Sequence, residues 1–162
     1  MPDQDLINRI RTIFLHLRPH VTIAEATALL GWSRGEMSRA IAAGEVEVMA
    51  TALGKWIWRE ELLAKAVELW SAEVIEEALG ADADAVLPAG VRLTDLHVRL
   101  PRHQVAMLAA FAERDRTTVS DVLARELDGV ASAHVDELSW RVVGFADALS
   151  WPDAEAVTQL PC

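Results

Sequence analysis

The spacing of hydrophobic residues along the chain predicts helices over most of its length, interrupted by a few short strands. Residues 3–17 carry apolar side chains at helical spacing, with Asp3 and Asp5 at the start, where the helix dipole favours acids. Pro19 ends this helix. We expect its apolar stripe to contact the core or a second copy rather than a membrane, because its polar face holds few lysines.

Two capping signatures predict a pair of short helices after Pro19. Thr22 and Ser33 are each followed three residues later by a glutamate, which is the pattern of a capping box. Gly31 separates the two apolar stretches, and Gly44 stands where a second helix would end. Two short helices joined by a tight glycine turn predict a helix-turn-helix arrangement.

The pattern then changes from helical spacing to alternation. Residues 45–58 alternate and include the run "WIW", which predicts a β-hairpin that turns at Gly54 and Lys55. Residues 59–79 return to helical spacing and predict one or two helices. Residues 80–91 are rich in small residues, glycine and proline, so we expect a linker there.

One further short strand is predicted in the second half, at residues 95–100, "DLHVRL". Its residues alternate: Leu96, Val98 and Leu100 are apolar, while Asp95, His97 and Arg99 are polar. Helices are predicted over residues 102–114, after Thr118, and over residues 133–150. The alternation alone also fits a strand with a solvent-facing polar side. However, no other strand is predicted in this half, and the backbone groups of a strand need a partner, so we expect pairing with a second copy.

Composition indicates a folded protein of the cytoplasm. Hydrophobic residues make up 52% of the 162 residues, which is enough to build a core. The single cysteine, Cys162, excludes a disulfide framework and a cysteine-built zinc site. Charged residues interrupt the first twenty positions, so no secretory signal is expected, and no apolar run is long enough to span a membrane.

The charge is negative and unevenly distributed. The net charge of −10 argues against a protein that coats nucleic acid non-specifically. Residues 92–116 hold five arginines and three acids, whereas residues 117–162 hold two arginines and eight acids. A local basic patch on an acidic protein is therefore expected.

No chemistry of an enzyme is predicted. The five histidines show no metal-ligand spacing, and Asp82 and Asp84 lack the full calcium-loop pattern. The chain has no glycine-rich phosphate loop, nucleophile motif or paired catalytic acids. We therefore expect a protein without cofactor, metal ion or enzymatic activity.

The stretch from Val21 to Ala66 resembles the excisionase or MerR-like winged helix-turn-helix family, through "VTIAEATALLGWSRGEMSRAIAAGEV" followed by "GKWIWREELLA". The resemblance implies a recognition helix in the major groove and a hairpin wing on the DNA backbone. Its contacts would be Arg34, Ser38 and Arg39 on the helix and Lys55 on the wing. Departures from the family are Ile57, where a second basic residue is frequent, and three glutamates that would face DNA: Glu36, Glu45 and Glu47. A copy of the fold that binds protein is the alternative.

The stretch from Asp95 to Val130 resembles the ribbon-helix-helix family, through "DLHVRLPR" and "TTVSDVL". The resemblance implies a homodimer in which the two strands pair and bury Leu96, Val98 and Leu100. The paired ribbon would enter the major groove with His97 and Arg99 toward the bases. The start of the second helix, at Thr117 and Thr118, would hold a phosphate, with Arg102, Arg114 and Arg116 nearby. The family often has a glycine in this turn, where this chain has Arg116-Thr117-Thr118.

Together these patterns predict a mainly α protein with two DNA-binding modules. We expect a winged helix-turn-helix with an N-terminal helix at 1–79, a linker at 80–91, a ribbon-helix-helix at 92–138, and a C-terminal helix and tail at 139–162. The predicted function is that of a bacterial, homodimeric transcriptional regulator that binds double-stranded DNA.

Two alternatives to a pure regulator stay open. One is an antitoxin or other protein-interaction module that covers a toxin-like partner and regulates its own operon. For this alternative, the acidic and apolar C-terminal stretch, which includes Val143 and Trp151, would suit a basic partner. The other is a scaffold in which both modules serve assembly.

Overall fold

A computed structural model describes residues 2–15, 18–52 and 54–152 of the chain. Within these ranges the protein is mainly helical, with one small antiparallel sheet, so the predicted fold class is confirmed at that level. The chain divides into two units. The first comprises Met1–Leu93 with the stretch from Ser150, and the second is Thr94–Leu149.

Helix α1 (Gln4–Leu15) forms the predicted amphipathic helix and buries one face in the first unit. The Asp3 carboxylate accepts a hydrogen bond from the Leu6 amide at 2.7 Å, which caps the helix start. Ile10, Ile13 and Phe14 are almost fully buried. The stripe is therefore a core face, as expected. Residues 16 and 17, at the end of the predicted helix, lie outside the described residues.

Helices α2 (Ile23–Leu30) and α3 (Arg34–Ala43) occur where the capping signatures predict them. Both capping boxes are formed: Thr22 bonds reciprocally with Glu25, and Ser33 with Glu36. Gly31 and Gly44 end the helices with φ of 72° and 76°, a conformation that favours glycine. These signals act over three or four residues, which is why the sequence alone locates both helices.

A three-stranded antiparallel sheet follows, with the order β1-β3-β2. The strands are β1 (His20–Thr22), β2 (Met49–Thr51) and β3 (Gly54–Trp58). The predicted hairpin is present but shorter, because residues 45–48 are outside the strands and Gly54 and Lys55 belong to β3 rather than to the turn. Strand β1 was not predicted, since three residues are too few to show alternation.

Helices α4 (Arg59–Leu69) and α5 (Ala72–Leu79) confirm the helical prediction for residues 59–79. Arg59 links α4 to the end of α1, because its guanidinium donates to the Ile13 carbonyl at 3.0 Å and also to the Phe14 carbonyl. Trp151, expected in a C-terminal tail, is half-buried beside Phe14, with ring centroids 6.2 Å apart. The rest of that tail, residues 153–162, lies outside the described residues.

Residues 80–91, where the sequence predicts a linker, are folded and contribute to the core of the first unit. These residues form two 3-10 turns, Gly80–Asp82 and Ala89–Val91, around the short helix α6 (Ala83–Val86). Ala83 and Leu87 lie one helical turn apart and are buried in the core of the first unit. Small residues, which are also typical of linkers, here allow close packing. The first unit therefore extends to Leu93 rather than ending at residue 79.

The second unit is built on α7 (Arg102–Asp115) and α8 (Val119–Ala133), followed by α9 (Val135–Arg141) and α10 (Phe145–Ser150). The single helix predicted over 133–150 is interrupted after Arg141, and Gly144 within the break has a φ of 75°. Few side chains of the described residues are buried between α7 and α8: Leu108, Ala112 and Val122, with Phe111 packed against them.

Residues 95–100 form no strand within the described chain, contrary to the prediction. A strand is defined by a hydrogen-bonded neighbour, and the described part of this chain offers residues 95–100 none. The proposed ribbon needs a second copy, so its pairing remains a prediction.

Candidate nucleic-acid interface

The segment 95–100 is exposed on both of its sides in the single chain. Leu96, Val98 and Leu100 expose 76%, 52% and 39% of their surface, and the polar residues between them are exposed as well. No backbone hydrogen bond of residues 94–100 to another described residue is formed. The segment therefore presents both an unpaired backbone edge and three uncovered apolar side chains, a combination that favours pairing with another strand.

His97 and Arg99 stand two residues apart, so in an extended segment they project from the same side, opposite to the apolar residues. Both are exposed, and neither makes a hydrogen bond or ion pair with the described residues. Arg102 begins α7 just after Pro101 and is also exposed. These three side chains are available to an external partner.

Thr117 and Thr118 are already engaged at the start of α8. Both hydroxyls donate to one carboxylate oxygen of Asp121, each at 2.7 Å, and the Thr118 amide donates to it at 3.1 Å. Burial opposes ionisation of Asp121, but these hydrogen bonds outweigh it, and its pKa is lowered. The Thr117 and Thr118 hydroxyls are therefore already bonded to the protein's own carboxylate, and a phosphate contact at this helix end stays a prediction.

An ion cluster lies at the turn between α7 and α8. Arg114 Nε and Arg125 Nη2 contact the two oxygens of Asp115 at 2.7 and 2.8 Å. Hydrogen bonds from Arg114 and then Arg125 lower the pKa of Asp115 to about 2. The Arg114 guanidinium also lies 4.9 Å from the centre of the Phe111 ring. Arg114, which was expected to lie near a phosphate, therefore pairs with a carboxylate of its own unit.

Arg116 takes a backbone conformation that L residues rarely adopt. Its φ of 54° and ψ of 43° are left-handed, and it is the one non-glycine residue of the described chain with a positive φ. The ribbon-helix-helix family often has glycine in this turn. The residue with the strained backbone is therefore in the turn where this chain departs from the family pattern. Arg116 was expected only as a nearby positive charge, and the missing turn glycine is the signal that could have found its conformation.

Replacing Arg116 with glycine should stabilise the protein by about 0.5–1 kcal/mol. A left-handed conformation destabilises an L residue by about 1–2 kcal/mol, and glycine removes this cost. Glycine also makes the unfolded chain more flexible, which offsets about 0.5–1 kcal/mol of the gain. Urea unfolding followed by circular dichroism measures the change. Arg116→Ala is the matched control, because it removes the same charge but keeps the strain. If both variants change stability equally, the left-handed strain at Arg116 is not the cause.

Arg34, Ser38 and Arg39 are exposed on the first turns of α3. Arg34 and Ser38 are four residues apart and border a shallow groove between α2 and α3, over the buried Met37. Arg39 differs from them because its Nε donates to the Gly35 carbonyl at 3.3 Å, and it shares a neighbouring cleft with Glu36 and Glu45. Two of the three predicted contacts therefore lie together on one helix face.

The glutamates near α3 have local roles. Glu36 accepts a hydrogen bond from the Ser33 amide at 2.6 Å, and this backbone bond together with the Ser33 hydroxyl lowers its pKa. Glu61 accepts from the Glu47 amide at 3.1 Å, which ties the segment before β2 to α4. Capping therefore accounts for Glu36, although its charge remains on the same helix as Arg34.

Lys55 is exposed on the hairpin, opposite Ala50 in the register of β2 and β3. The next residue, Trp56, points to the other side of the sheet, where its ring meets His20 edge to face at 5.0 Å. The Trp56 indole N–H donates to the Thr51 hydroxyl at 3.2 Å. These contacts fix the hairpin that carries Lys55.

The basic side chains of the chain divide into two groups. Ten of the fifteen contact a carboxylate or a backbone carbonyl. Five have no such partner among the described residues: Arg34, Lys55, Arg99, Arg102 and Arg116. Every one of the five belongs to a segment for which the sequence suggests DNA contact. In a protein with 25 acidic residues, this separation is the main electrostatic feature of the candidate interface.

Neither a metal cluster nor a membrane span occurs within the described residues. No group of three or more His, Cys, Asp or Glu side chains there is arranged to hold a metal ion. No described helix combines the length and the apolar character needed to cross a membrane.

Comparison with protein-family models, with curated proteins and with solved structures finds no match for this chain. Its function must therefore be inferred from the geometry and the charges described above.

Proposed function

We propose that the protein is a homodimeric, sequence-specific DNA-binding regulator of transcription. In this proposal residues 95–100 of two copies pair into a ribbon, and His97 and Arg99 face the bases in the major groove. Helix α3 and the hairpin of the first unit provide a second contact through Arg34, Ser38, Arg39 and Lys55.

The observation that carries the proposal is the group of five basic residues without an internal partner. An acidic protein that needed these arginines and lysine only for stability would be expected to pair them, as it pairs the other ten. Cations left free at the predicted contacts are suited to phosphate and to the acceptor edges of guanine.

Dimerisation is supported by the small core of the second unit. Leu108, Ala112 and Val122 are its only buried apolar side chains among the described residues. Apolar residues on α8 remain exposed, including Val119, Leu127 and Val130, in addition to those of the segment 95–100. A second copy would cover both sets and supply the hydrogen bonds that the segment lacks.

The first unit contributes a geometry that is compatible with DNA. Two capped helices, α2 and α3, precede a hairpin, and the sheet order β1-β3-β2 joins that hairpin to the strand before α2. The exposed first turn of α3 carries Arg34, whose position corresponds to the base-contacting end of a recognition helix. This unit has a core of its own, so its contact with DNA does not require the ribbon.

Selection from a random pool of DNA duplexes tests the proposal. The full-length protein should enrich a palindromic sequence, because a twofold ribbon presents each side chain twice. His97→Ala/Arg99→Ala should abolish enrichment of the ribbon site, whereas Arg34→Ala/Arg39→Ala should affect only positions outside that site. Absence of duplex binding even at low salt would show that the proposed function is wrong.

A further inference from the structure

Apolar side chains are unusually exposed near the C-terminal end of the second unit. Trp140, on the last turn of α9, exposes 92% of its surface, and Val143, just after that helix, exposes 101%. Val142 and Leu149 are also exposed. Single exposed apolar residues are common, but tryptophan is mostly buried on average and is concentrated in binding surfaces.

Two carboxylates share a helix face with Trp140. Asp136 and Glu137 precede Trp140 by four and three residues, so helical geometry places them on the same face of α9. Residues 126–149 contain five acids and one arginine, a net charge of −4. The carboxylates of Glu126, Asp128 and Asp136 make no hydrogen bond or ion pair with the described residues, whereas Glu137 pairs with Arg141 at 3.2 Å on the exposed side of α9.

We propose that Asp136, Glu137, Trp140 and Val143 form a binding surface, the acidic-apolar surface, for a partner protein that presents a basic helix with an apolar stripe. The indole and Val143 would pack against the stripe, and the carboxylates would pair with lysines or arginines beside it. The C-terminal stretch is expected from the sequence to suit a basic partner partly through Trp151, but that side chain packs beside Phe14 in the first unit. Trp140 therefore replaces Trp151 as the aromatic residue of the proposed surface.

The charge of the surface selects this kind of partner over the alternatives. A second copy of the chain would bring together two such surfaces, each within a stretch of net charge −4, and like charges at an interface oppose association. DNA and anionic membranes are repelled for the same reason. The surface is also separate in sequence from the segment 95–100, so this inference does not depend on the proposed function.

The test measures binding of a labelled lysine–leucine helical peptide, with leucines at helical spacing, to the full-length protein by fluorescence anisotropy. Trp140→Ser should weaken binding at least about tenfold, as expected for a central aromatic contact. Asp136→Asn/Glu137→Gln should weaken it severalfold and reduce its dependence on salt.

Two controls separate this surface from general attraction to an acidic protein. Glu45→Gln/Glu47→Gln removes the same charge from exposed positions of the first unit, and Leu69→Ser removes an exposed apolar side chain there. Both should leave binding unchanged. Val143→Ser provides a second, milder change should Trp140→Ser alter the circular dichroism spectrum.

Three results would overturn the inference. In the first, peptide affinity is the same for wild type, Trp140→Ser and Val143→Ser. In the second, the control pair Glu45→Gln/Glu47→Gln lowers affinity as much as Asp136→Asn/Glu137→Gln. In the third, Trp140→Ser lowers the oligomeric state of the free protein, which would identify a contact between copies instead.

Discussion

Val98→Asp should convert the proposed dimer into monomers and abolish recognition of the palindromic duplex. Val98 lies in the middle of the exposed apolar series, between Leu96 and Leu100, and is 52% exposed in the single chain. Complete burial of an aliphatic side chain contributes about 1.5–3 kcal/mol, and a dimer buries each of the three positions twice. An aspartate there removes this gain and places two like charges in one interface, each without an internal partner.

We expect the dimer dissociation constant to rise by at least about a thousandfold, equivalent to about 4 kcal/mol for two substituted chains. Sedimentation equilibrium measures the change directly. Because the second unit has only three buried side chains among its described residues in the single chain, its helices should also become less resistant to urea on dissociation.

Leu93→Asp is the matched control, because Leu93 is also apolar and 52% exposed but lies before the segment. It should leave the dimer intact. A wild-type protein that sediments as a monomer would contradict the ribbon, as would a Val98→Asp variant that dimerises like Leu93→Asp.

The sequence predicts those parts of the fold that depend on nearby residues. Both capping boxes, at Thr22 and Ser33, are closed by a glutamate three residues away, so the helices that they start could be located in advance. Arg116 shows the opposite case. Its left-handed conformation lies at the turn from α7 to α8, and no neighbouring residue indicates it; only the glycine that the resembled family often has there does.

Features that depend on tertiary packing were missed. The chain from residue 80 to 91 has the composition of a linker, but Ala83 and Leu87 fit into a core formed by residues far away in sequence. Strand β1 exists because Val21 pairs with Ile57, in a distant part of the sequence. Helix α3, which carries candidate DNA contacts, could be located because its cap is formed by the nearby residues Ser33 and Glu36. Asp121, three residues after Thr118, closes a further capping box, and the phosphate contact expected at this helix start stays a prediction.

Arg99→Ala should cause the largest loss of DNA recognition without loss of the dimer. Arg99 has no internal partner in the described chain and lies on the polar side of the predicted ribbon. A two-bonded arginine–guanine contact contributes about 1–3 kcal/mol of discrimination, and a dimer makes the contact twice. We expect binding to the selected duplex to weaken by about 2–6 kcal/mol, with little change for an unrelated duplex.

Comparison with other arginines distinguishes base recognition from phosphate binding. Arg99→Lys keeps the charge but not the paired hydrogen bonds, so it should lose specificity and retain non-specific affinity. Arg102→Ala should instead weaken binding to all duplexes alike and lower the salt slope by about 0.9 for each phosphate that the variant no longer neutralises. The guanidinium of Arg141 pairs with Glu137 at 3.2 Å, so Arg141→Ala should change neither the affinity for DNA nor the salt slope. If Arg99→Ala weakens the selected and unrelated duplexes equally, Arg99 binds the DNA backbone, and base recognition must come from His97 or from α3.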